Sequence, residues 1–86
     1  MTSDAAETIA LKALAYLANR EDALTRFMAL SGAGMAELRE RAGEPDFLAG
    51  VTDFLLGDEE LLTGFCEAET LDARSVHMAR HVLAGA

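Results

Sequence analysis

The chain has 86 residues, a mass of 9.2 kDa, a formal charge of −8 and a sequence pI near 4.5. That size fits one domain near the lower limit for a fold held by its own core, and the charge argues against direct binding to nucleic acid or anionic membranes, which would repel it. A single cysteine, Cys66, excludes an internal disulfide framework and fits a reducing compartment.

Alanine and leucine dominate the apolar residues and Pro45 is the only proline, so intrinsic preference runs to helix throughout. A first helix is expected from Ser3 or Asp4, either of which can cap it, with Glu7 against the positive end of the dipole. Its apolar run from Ile9 to Ala18 is interrupted by Lys12 and matches neither a signal peptide nor a membrane span. Ile9, Ala10, Leu11, Ala13, Leu14, Leu17 and Ala18 cover most of its circumference, which predicts a central helix.

The pattern resets near Asn19, a predicted cap, and a second helix carries Leu24, Phe27, Met28 and Leu30 inward to a left-handed stop at Gly32. A short third helix turns Met35, Leu38 and Ala42 to the core. Pro45 suits the first position of a fourth helix, whose apolar residues Phe47, Leu48, Val51, Phe54 and Leu55 recur at steps of three and four. Gly57 ends it and Asp58 caps a fifth, with Leu61, Leu62, Phe65 and Ala68 inward, so the two are expected to fold back as a pair. Asp72 caps a sixth, with Val76, Ala79, Val82 and Leu83 inward and Gly85 at its stop. The fold class expected is therefore all-α, a compact bundle of five to six short helices around a central first helix, forming a single domain over residues 1–86.

Between Arg41 and Arg74 there is no basic residue, yet the stretch holds nine carboxylates. Paired acids such as Glu59 and Glu60 on a first helical turn are better explained as dipole partners than as an acid and base couple. His77 and His81 stand four apart, a spacing from which two imidazoles can share a metal ion, with Cys66 or Glu69 as a further donor. Arg74 and Arg80 flank them, however, and histidines in the last turns also suit the negative helix end. Cys66 lies beside Glu67 and Glu69, which disfavour its thiolate. Gly32 and Gly34 follow no strand and complete no glycine-rich nucleotide fingerprint, and helices four and five lack the basic residues of a DNA-recognition helix. No catalytic residue and no cofactor are expected.

What survives is surface recognition. Leu56, off the main stripe of its helix, and Leu71, at a turn, with Asp53, Asp58, Glu59 and Glu60 around them, are expected to form a groove for a protein partner of basic or mixed charge. An acidic mimic of nucleic acid that occupies a DNA-binding protein is the alternative, and a metal-binding sensor built on His77 and His81 a second. A chain this small also gains from covering leftover apolar surface, which makes a homodimer a further expectation.

The residues Leu24, Arg26, Phe27, Leu30, Ser31 and Gly32, then Pro45, Phe47, Leu48, Val51, Asp53, Phe54, Leu55, Leu56, Asp58, Glu59, Leu61, Leu62 and Phe65, resemble a family of short helical proteins of unknown function from alphaproteobacteria. The likeness extends over nearly the whole chain, although Arg20 and Glu21 stand where the family's second helix would start with an acid and a proline. The resemblance implies a cytoplasmic bacterial protein with a compact helical fold, and favours a regulatory or signalling adaptor. It supplies no catalytic or binding residues.

Overall fold

A computed structural model describes residues 1–85, which form six helices: α1 Ser3–Ala18, α2 Glu21–Ser31, α3 Met35–Arg41, α4 Pro45–Leu56, α5 Glu59–Glu69 and α6 Ala73–Ala84. Local chemistry sets most of the boundaries. Thr2, rather than Ser3 or Asp4, caps α1, its hydroxyl accepting from the Ala5 N–H at 3.1 Å. Pro45 occupies the first turn of α4, where its missing N–H leaves no bond unmade. The carboxylates of Asp58 and Asp72 accept from Leu61 and Ser75 N–H at 3.1 and 3.0 Å, starting α5 and α6.

Asn19 works at the opposite end from the one expected. Its side-chain amide donates to the Ala15 carbonyl at 3.0 Å, finishing α1, while α2 starts behind Arg20 without any side-chain cap. Gly32 stops α2 in the left-handed conformation with φ of 72°, where a Cβ would be strained.

The centre is shared by α1, α4 and α6. Ala6, Ala10, Ala13 and Leu17 on α1 and Val76, Ala79 and Leu83 on α6 recur at three and four residues, all at or near zero exposure, against Leu48, Ala49, Val51 and Leu55 of α4. The alanines let the three helices approach closely. α4 packs most widely on α6 and then on α1, and less on its sequence neighbour α5, so the expected α4–α5 pair is a junction rather than the main interface. The opposite face of α1 stays open, with Leu11 44% exposed. A second part of the core gathers Phe27, Phe47, Phe65 and Leu38, with Phe27 edge-on to both Phe47 and Phe54.

The molecule is flat, 30 × 27 × 17 Å, about two helix layers deep. Peripheral helices therefore bury only a narrow strip. Leu30 and Met35, both expected inward, are instead exposed, as is Ala68 on the outer side of α5. Among the described residues no helix is long and apolar enough to cross a membrane.

Candidate functional site

The residues expected to share one recognition surface divide among several. Asp53 is paired with Arg80 of α6 and faces a groove between α2 and α4. Asp58, besides capping α5, takes a 3.0 Å ion pair from Arg26 of α2. The Leu61 N–H and then the Arg26 guanidinium hold its carboxyl below the usual carboxylate range. Leu56 is half-buried against the core. Glu60 points into a recess with Tyr16, Arg20 and Arg26. Asp58 lines the same recess, Glu60 also adjoins Glu59 on the outer face of α5, and Glu59 and Leu71 come together elsewhere.

These two line a groove of 800 Å³ at the α5–α6 connection. Its apolar wall is Leu62, Cys66 and Leu71, its charged residues are Glu59, Glu67 and Asp72, and no cationic side chain lines it. Glu59, Glu60 and Glu67 have no ion-pair partner among the described residues, and with Thr63 and Gly64 they form the adjoining outer face of α5. Negative potential is thus concentrated over a partly apolar surface.

The turn that shapes this groove is unusual. α5 ends with the Leu71 N–H donating to the Cys66 carbonyl at 2.9 Å and the Thr70 N–H to the Glu67 carbonyl at 3.4 Å, a Schellman closure. Such a closure folds the residue after the turn back onto the last helical turn, which is why Leu71 lies over Cys66. The left-handed position is occupied by Thr70, with φ of 55°, although a β-branched residue is disfavoured there. Sequence reasoning missed Leu62, Cys66, Glu67 and Asp72 as parts of the site because glycine, the usual mark of this turn, is absent.

Burial, and then the charge of Asp72, push the Cys66 thiol up from its ordinary range, so it remains protonated at neutral pH. His77 and His81 are both exposed on α6. Among the described residues no three His, Cys, Asp or Glu side chains converge as a metal site.

No curated protein and no solved structure matches the chain. A family model, DUF3572, described as a protein of unknown function, matches residues 3–86. With nearly every residue covered, this six-helix chain belongs to the DUF3572 family.

Proposed function

We propose that this is a non-enzymatic interaction protein, a cytoplasmic regulatory or signalling adaptor that docks a basic or mixed-charge segment of another protein in the α5–α6 groove. The observation that carries this reading is the pairing of the Leu62, Cys66 and Leu71 wall with a rim whose only charged residues are the carboxylates Glu59, Glu67 and Asp72. A partner helix with one apolar stripe flanked by lysine or arginine matches both features. The rim would speed encounter and select charge, while the apolar contact would slow release.

The strained Thr70 supports the same location, since backbone strain persists where surrounding structure holds a surface in a required shape. The unpaired row Glu59, Glu60 and Glu67 also supports a second reading, mimicry of nucleic acid. Affinity recovery with cross-linking from native cells, using the wild type and Glu67→Lys, tests the proposal. The expected result is a basic-surfaced protein captured by the wild type and lost with the variant, which retains its helical circular dichroism. Competition for that protein by DNA would favour mimicry. Equal capture by both forms would remove the groove from the function.

A further inference from the structure

Two glycines lie within helices, and their surroundings differ. Gly64 of α5 has an internal reason to be glycine, because a Cβ there would collide with the Tyr16 hydroxyl. Gly50 of α4 has none: a Cβ would meet nothing within 4 Å. A mid-helix glycine lowers stability relative to alanine, and no packing inside the chain requires one at this position.

Gly50 lies in the α2–α4 groove, a depression of 440 Å³ walled by Phe27, Phe47 and Phe54. On its rim stands Leu30, 77% exposed, the most exposed large apolar side chain among the described residues. A projecting leucine beside an apolar hollow on one face is the self-complementary arrangement that a two-fold pairing uses. The charges agree. Asp53 is engaged by Arg80, so the groove's remaining opposite charges are Arg41, which lies over the Phe47 ring at 4.9 Å and pairs with Glu44 of the same copy at 3.4 Å, and Asp46, which has no ion-pair partner among the described residues. The outer face of α5, whose only charged residues are carboxylates, would repel its own copy.

We propose that the occupant of this groove is a second copy of the chain, in a symmetric dimer. Leu30 of each copy enters the groove of the other, where Gly50 leaves room for it, and Arg41 of each faces Asp46 of the other. Because each copy carries a net charge of −8, salt screens the overall repulsion and tightens the pair. Binding of a basic partner to α5 responds to salt in the opposite sense, so the failure of one proposal is distinguishable from failure of the other.

Sedimentation equilibrium of the full chain over a concentration series, at low and high salt, tests the pairing. A reversible monomer–dimer equilibrium is expected, tighter at high salt. Leu30→Glu should weaken it at least about tenfold and Gly50→Ala severalfold, both with helical circular dichroism unchanged. Arg41→Asp and Asp46→Arg should each dissociate alone, while an equimolar mixture of the two restores a dimer through reciprocal opposite charges. A chain that stays monomeric, a dimer indifferent to Leu30→Glu and Gly50→Ala, or a mixture that fails to pair would overturn the proposal. Occupation of the groove by a small apolar molecule or a different protein, with the chain itself monomeric, would also overturn it.

Discussion

At Gly64 a missing side chain decides how α1 and α5 fit together. The Tyr16 ring crosses α5 at that point, edge-on to Phe65 at 5.6 Å, and carries the Arg20 guanidinium 4.4 Å from its centroid. Gly64→Ala should therefore cost about 1–3 kcal/mol in denaturant unfolding, despite better helix propensity, because Tyr16 must leave its position. Thr70 offers the reverse case. Relief of its left-handed strain should make Thr70→Gly more stable by about 1 kcal/mol, measured the same way. Asp58 adds a pH signature. Its carboxyl titrates lower when folded, so its stabilisation is complete above the ordinary carboxylate range and is lost as pH falls through the folded value. Asp58→Asn should be less stable than the wild type at pH 7, with the difference shrinking in acid. A constant difference across acid unfolding curves would show that the Leu61 and Arg26 contacts do not favour the ionised form.

The helices differ in how much of them could be read from residue order. Pro45, Asp58 and Asp72 mark helix starts through forces acting within one turn, and those starts were legible. Asn19 was not, because an asparagine between two helices can serve the carbonyls behind it as readily as the amides ahead, and only the 3.0 Å bond to Ala15 decides. Periodicity also located a buried stripe on each helix without giving its width. On α4, in the centre, the stripe widens to include Ala49 and the buried Thr52, whose hydroxyl donates to the Ala49 carbonyl at 2.7 Å. On α2 and α3, at the edge of a shallow molecule, it narrows enough to leave Leu30 and Met35 in solvent. Gly50 lies on the partly exposed side of α4. Gly50→Ala should stabilise the fold by about 1 kcal/mol in thermal unfolding of the dilute chain. A loss of stability would mean that the helix needs glycine there for its own packing.

Across the whole molecule, charge is spread unevenly, and that distribution was only half visible beforehand. The acidic stretch between Arg41 and Arg74 could be counted, but ion pairs from distant helices could not: Arg26 takes Asp58, Arg80 takes Asp53 and Lys12 takes Glu69 at 3.5 Å. The first two of these pairs take Asp58 and Asp53 from the set expected to meet a partner, and the carboxylates without an ion pair around the α5–α6 groove are Glu59, Glu60 and Glu67 on α5 with Asp72 beside them. Lys12 is the chain's only lysine, which makes the groove directly addressable. Zero-length carbodiimide coupling joins carboxylates to amines in contact, so links to lysines of a captured protein report which acids it touches. The account predicts that mass spectrometry will find these links concentrated at Glu59, Glu67 and Asp72. Links spread evenly over Asp4, Glu7, Glu37 and Glu40, or confined to those acids, would contradict it.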